Sequence, residues 1–133
     1  MSRIQRISHI AIAVRSLEER IPYYRDTLGL ELVGRDEVAD QQVRVAMFRV
    51  GESNIELLEP TSPDSPVARF LERKGEGIHH IAFHVDGVAP MLAELEEKGI
   101  DLIDKAPRQG AHGSRIAFIH PRASHGVLTE VCE

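Results

Sequence analysis

Three histidines stand within GIHHIAFHV (77–85): His79, His80 and His84. The rest of the segment reads as a buried strand, where an imidazole is costly unless it is hydrogen-bonded or holds a ligand. Successive strand side chains point to opposite faces, so His80, Ala82 and His84 share one face, and His79, Ile81, Phe83 and Val85 share the other. An earlier segment, ISHIAIAV (7–14), aligns with IHHIAFHV (78–85) and sets His9 on His80. It divides the same way into a small face, His9 with Ala11 and Ala13, and a bulky one, Ile10, Ile12 and Val14.

Each histidine strand has an acid to match it. NIELLE (54–59) carries Glu56 and LTEVCE (128–133) carries Glu130, and a glutamate within an apolar strand is expensive unless paired or coordinated. Two imidazoles and two carboxylates related by a repeat form a donor set for one divalent cation. Such nitrogen and oxygen ligands suit cobalt, zinc, manganese, nickel or iron(II) without selecting among them. Taken singly, a strand histidine is more often a hydrogen-bonded core residue, and a strand glutamate a solvated one. Recurrence at equivalent places in both halves is what favours His9, Glu56, His80 and Glu130 as a metal set. His84 aligns with Ala13 in the repeat and reads as lining, while His79 points away from His80.

Positioning these residues requires the elements around them. Each histidine strand is followed by a helical pattern ended by glycine. In the first, Ser16 and Glu19 form a capping box ahead of Leu17, Ile21, Tyr24 and Leu28, and Gly29 is the stop. In the second, Asp86 is the expected N-cap ahead of Val88, Met91, Leu92 and Leu95, and Gly99 is the stop. Pro22, inside the first helix, should kink it or delay its regular part. Strand patterns follow at 29–33 and 99–103, then at 43–50 with 54–59, and at 114–120 with 126–133. The order β-α-β-β-β therefore occurs twice, over about 4–60 and about 77–133. In the linker (61–76), Ser65 as N-cap, Pro66 at the first helical position and Gly75 as stop predict a short helix. Two such modules make a single α+β domain, their sheets packed into a curved, cup-shaped barrel. The bulky strand faces should meet the helices, and the small, histidine-bearing faces should line the cup.

Composition bounds the rest. At 133 residues and 42% hydrophobic, the chain supports one globular domain with a real core. A formal charge of -5, with no basic stripe and few aromatics, argues against nucleic acid as the main partner. Cys132 is the only cysteine, so no intrachain disulfide forms and a reducing cytoplasm is the expected compartment. The start, MSRIQRISHI, lacks the apolar segment of a signal peptide, and no apolar run approaches the ~20 residues of a membrane span.

With these residues in place the sequence resembles the vicinal oxygen chelate, or glyoxalase-like, superfamily, and more closely its methylmalonyl-CoA epimerase family. The likeness is carried by HIAIAV with Tyr24 and LG at 28–29, DSPVARFL at 64–71, GIHHIAFHV, the loop GAHG at 110–113 followed by IAFIHP at 116–121, and GVLTEV at 126–131. Together these cover nearly the whole chain. The resemblance implies paired modules around a divalent metal, a homodimer, an acyl-CoA thioester substrate, and interconversion of (2R)- and (2S)-methylmalonyl-CoA in propionate metabolism. It implies 1,1-proton transfer through a metal-stabilised enolate, with one acid/base group on each face of the planar carbon. Glu130, as ligand and base, is the candidate for one face. Members of the family can carry a catalytic glutamate on the third strand of the first module, and the matching positions here are Arg44 and Val45. A bound water, Glu37 or Asp40 is then the candidate for the other face. His112, in its glycine-flanked loop, is a candidate for the substrate's carboxylate or thioester. Lys105, Arg108 and Arg115 surround that loop, and none is assigned to coenzyme A. The alternatives on the same fold are a glyoxalase I-type lactoylglutathione lyase and a metal-free ligand-binding module, the latter disfavoured by the complete set of four ligands.

Overall fold

The computed structural model describes Ser2–Glu133. Its strands are β1 (Ile4–Ala13), β2 (Glu31–Val38), β3 (Val43–Val50), β4 (Ser53–Pro60), β5 (Gly77–Val85), β6 (Arg108–Gln109), β7 (Arg115–Ile119) and β8 (Thr129–Cys132). Its α-helices are α1 (Leu17–Pro22), α2 (Pro66–Lys74) and α3 (Val88–Glu97). The class is α+β, and the eight strands lie in one sheet in the order β2-β3-β4-β1-β5-β8-β7-β6. No helix among the described residues is long and apolar enough to cross a membrane. The chain divides into two compact units, one comprising the segment up to Ser8 with His80–Glu133, the other comprising His9–His79.

In the His9–His79 unit, β1 pairs in parallel with β4, and β4-β3-β2 run antiparallel. Ser16 caps α1 as its sequence predicts, its Oγ accepting the Glu19 N–H at 3.2 Å. Pro22 has no N–H to continue the ladder. The chain answers with a π-helical turn, Tyr23–Thr27, in which the Leu28 N–H donates to the Tyr23 carbonyl at 2.9 Å. Leu17 and Ile21 of α1 pack on Val14, Ala46, Phe48 and Leu57, with Ile12 against them, so the bulky face of β1 does meet its helix. Linker helix α2 begins at the expected cap: buried Ser65 accepts the Val67 N–H through its Oγ, also at 3.2 Å.

In the other unit, β5 pairs in parallel with β8, and β8-β7-β6 run antiparallel. Val88, Met91 and Leu92 of α3 pack on Val85, Ala117 and Val131. Two local expectations fail here. The strand predicted at 99–103 is reduced to a single bridge, Leu102 to Ile119, and the pairing strand is the two-residue β6. The Phe118 carbonyl accepts the N–H of both Ile103 and Asp104, at 3.0 and 3.1 Å, which turns the chain away after one bridge. Asp86 does not cap α3. Its carboxylate accepts the Arg3 N–H at 2.9 Å and the Ser2 hydroxyl at 2.8 Å, and these bonds hold it below its usual range. Gly87 takes the cap position, and the Val88 N–H donates to Glu133 Oε2 at 2.8 Å instead.

Candidate metal centre

Within the His9–His79 unit, register decides which side chains meet. Ala11 of β1 lies beside Glu56 of β4, so Glu56 stands on the small face of β1, one strand over from His9. Both are buried, and His9 Nδ1 lies 3.3 Å from Glu56 Oε2. In the other unit the same relation recurs. Ala82 of β5 lies beside Glu130 of β8, and His80 Nε2 lies 3.2 Å from Glu130 Oε1. Each unit thus builds a histidine-glutamate pair from a parallel strand pair, with the alanine two residues after the histidine as the register mark.

The surroundings of the second pair are apolar. Phe118, beside Glu130 in the β7-β8 register, sets its ring edge-on to His80 with centroids 5.2 Å apart. Ala82, Ile116, Phe118 and Cys132 complete this face, and the buried Cys132 thiol donates to the Phe83 carbonyl at 3.6 Å. Burial pushes the His80 imidazole down to about 3, so it is neutral at physiological pH. A neutral imidazole with its lone pair available is the form a cation binds. His9, His80 and Glu130 are all buried and offer imidazole nitrogen or carboxylate oxygen as potential ligand atoms. Glu56 rests against His9. Nitrogen and carboxylate donors, all buried, fit a divalent transition metal.

The remaining sequence candidates are dispersed. His84 is half-buried, its basicity lowered by burial and then by Arg6. His79 packs edge-on to Phe70 of α2, centroids 5.0 Å apart. His112 occupies an exposed turn at φ 54°, followed by Gly113 at φ 72°. Arg108 lies over the Phe118 ring and 3.2 Å from Asp104, and Arg115 pairs with Glu133 at 3.1 Å.

Glu37 is not on the His9-Glu56 face. It lies across from Arg44, which pairs with Glu59, and the Glu59 carboxylate accepts the Leu17 N–H of α1 at 2.9 Å. Asp40 falls in an exposed single turn after β2. Sequence reading missed a third acid, Asp36. The β2-β3 register slips between Leu32 and Gly34, so Leu32 lies across from Phe48 on the helix side while Gly34 lies across from Met47. Met47 is paired with Glu56, so beyond this bulge Gly34 and Asp36 stand on the His9-Glu56 face. Arg35, between them, confirms the phase from the opposite face by pairing with Glu18 of α1 at 2.8 Å. Nothing in LVGRDEV announces the slip except its glycine, which is a weak signal.

Comparison with known proteins adds four relations. A family model described as glyoxalase/bleomycin resistance protein/dioxygenase superfamily matches residues 8–118. An uncharacterized Bacillus subtilis protein is 46% identical over 98% of this chain and 93% of its own length. A Cereibacter sphaeroides protein named ethylmalonyl-CoA/methylmalonyl-CoA epimerase is 38% identical over 96% of this chain and 97% of its own. Among solved structures, methylmalonyl-CoA epimerase in complex with methylmalonyl-CoA and NH4+ superposes with a TM-score of 0.94 at 41% identity, covering 98% of this chain and 94% of that one.

Proposed function

The chain belongs to the glyoxalase/bleomycin resistance protein/dioxygenase superfamily, and on that premise we propose that it is a methylmalonyl-CoA epimerase. Its substrate is then the acyl-CoA thioester, and His9, Glu56, His80 and Glu130 hold a divalent cation. The observation that carries this reading is the histidine-glutamate pair built at the same register in both units. The epimerases among its relatives and structural neighbours support the choice of reaction over other chemistry on the same fold.

The proton to be moved lies between a thioester carbonyl and a carboxylate. Its removal leaves an enolate whose charge must be held while the planar carbon is reprotonated from the other side. A bound cation supplies Lewis acidity to the oxygens of that enolate. Glu130 takes or returns the proton on one face, and the apolar wall of Phe118, Ile116 and Ala82 beside it keeps water from quenching the charge. The neutral His80 beside Glu130 does not compete as a proton donor. His112, on its exposed glycine-flanked turn, contacts the substrate's carboxylate or thioester.

The test is to incubate cobalt- or zinc-loaded protein with (2S)-methylmalonyl-CoA in D₂O and follow α-deuterium incorporation together with appearance of the 2R epimer. Metal-dependent exchange with epimer formation is the expected result. Absence of both with metal bound overturns the assignment.

A further inference from the structure

Methylmalonyl-CoA carries a charged group beside its reacting carbon, the free carboxylate, and the reading above gives that group no fixed positive charge of the protein's own. We propose that Arg108 binds it. This deepens the epimerase reading and rests on it, and every residue in the argument belongs to the unit that contains His80–Glu133. Arg108 of β6 lies across from Ile116 of β7, which lies across from Cys132 of β8, and Phe118 lies across from Glu130. Alternation therefore puts Arg108 on the face of Ile116, Phe118, Cys132 and Glu130, where Ala82 and His80 also pack. The intervening residues, Ala117 and Val131, face α3 instead. The guanidinium carbon stands over the Phe118 ring, 5.1 Å from its centroid, and the His80 imidazole meets the same ring at 5.2 Å. One aromatic ring thus separates a cation from the His80-Glu130 pair.

Arg108 differs from the other basic residues of this unit. Arg3, Arg6, Lys98, Lys105, Arg115 and Arg122 are exposed, whereas Arg108 is half-buried. Its Nε lies 3.2 Å from Asp104 Oδ2 without the alignment of a hydrogen bond, and that oxygen already accepts the Phe118 N–H at 2.8 Å. Asp104 and the Phe118 ring therefore hold the guanidinium in place, and its parallel N–H groups match the two oxygens of a carboxylate. Partial burial of the charge is costly, and an unaligned ion pair offsets only part of that cost; a bidentate anion offsets more. Glu130 is itself an anion and repels the malonyl carboxylate, so a positive charge on the same wall decides whether that group can settle there. Both epimers present the same carboxylate to the same guanidinium, and the α-hydrogen and methyl group are the substituents that change places.

The test compares metal-loaded wild type, Arg108→Gln, Arg108→Lys and Lys105→Gln with methylmalonyl-CoA as substrate and propionyl-CoA, the same thioester without the carboxylate, as competitive inhibitor. Arg108→Gln should raise KM for methylmalonyl-CoA by roughly 10–100-fold, the usual worth of a hydrogen bond to a charged group. Its kcat should change less than KM, and its metal content and its Ki for propionyl-CoA should match wild type. Arg108→Lys, which keeps the charge and loses the fork, should fall between, and Lys105→Gln should match wild type throughout. An unchanged KM in Arg108→Gln overturns the proposal. An equal loss for both thioesters also overturns it, by assigning Arg108 to the coenzyme A moiety. Loss of metal or fold from both Arg108 variants overturns it by making the residue structural; where only Arg108→Gln fails to fold, Arg108→Lys decides by the same comparison of thioesters. A wild-type protein that forms no epimer removes the epimerase reading, and calorimetric binding of the two thioesters to wild type and Arg108→Lys then judges the carboxylate site by itself.

Discussion

Glu130 and His79 lie on opposite faces of neighbouring strands, and that difference in phase separates their expected phenotypes. Glu130→Ala should lower kcat by roughly 10²–10⁴-fold and reduce the metal retained after desalting, measured by steady-state assay and elemental analysis on one preparation. His79→Ala removes an edge-on contact with Phe70, worth about 1 kcal/mol, and should leave metal and turnover intact. Metal loss from His79→Ala would mean that the face assignment is shifted by one residue. His80 gives a pH prediction. Its burial lowers it from 6.5 to about 3, so the unfolded chain binds the proton more tightly than the folded one. Stability from this group is therefore complete above pH 6.5 and is lost as pH falls toward 3. Urea midpoints of chelator-treated protein should fall between pH 7 and pH 5. A constant midpoint over that range would show that His80 is not held neutral by the fold. At this scale the paired histidines and glutamates were legible, because strand alternation has period two and the repeat supplied the second copy. Asp36 was not legible, because a single inserted residue reverses that alternation and leaves almost no mark in composition.

Helices and turns with local chemical signatures were equally legible. Ser16, Ser65, Pro66 and Gly75 act where the sequence puts them. Asp86 misled because a short acidic side chain before a helix has two uses, and here the Ser2 and Arg3 donors claim it. GIDLI read as a strand because it alternates, yet pairing depends on a partner whose register no local pattern reports. The turn at 110–113 carries the clearest element-level prediction. A Cβ at Gly110 would come within 2.7 Å of Ile116 Cγ2 and 2.8 Å of Ser114 Oγ. Gly110→Ala should therefore destabilise the protein by about 1–3 kcal/mol and displace the His112 turn. A urea midpoint equal to wild type would show that the turn absorbs the methyl group without strain.

At the scale of the molecule, the repeat determines more than any one element. Each of the two units carries an equivalent histidine-glutamate pair, built at the same register of a parallel strand pair. A cation bound only by the folded chain stabilises it by mass action, ~2.7 kcal/mol at a hundredfold excess over Kd. For a chain of this size that corresponds to a rise of ~10 °C in Tm. Cobalt or zinc added to chelator-treated protein should produce it, and Glu130→Ala should abolish most of it. An equal shift in that variant would place the cation elsewhere.

Cys132 is the chain's only thiol, lies two residues from Glu130 on β8 and is buried. A disulfide reagent can reach it only when that strand opens, so the labelling rate of unmodified protein serves as a stopwatch for local opening beside a proposed ligand. Cation addition should slow the clock along with the thermal shift. Labelling at the speed of a free thiol, with or without cation, would show that β8 opens without regard to what Glu130 holds.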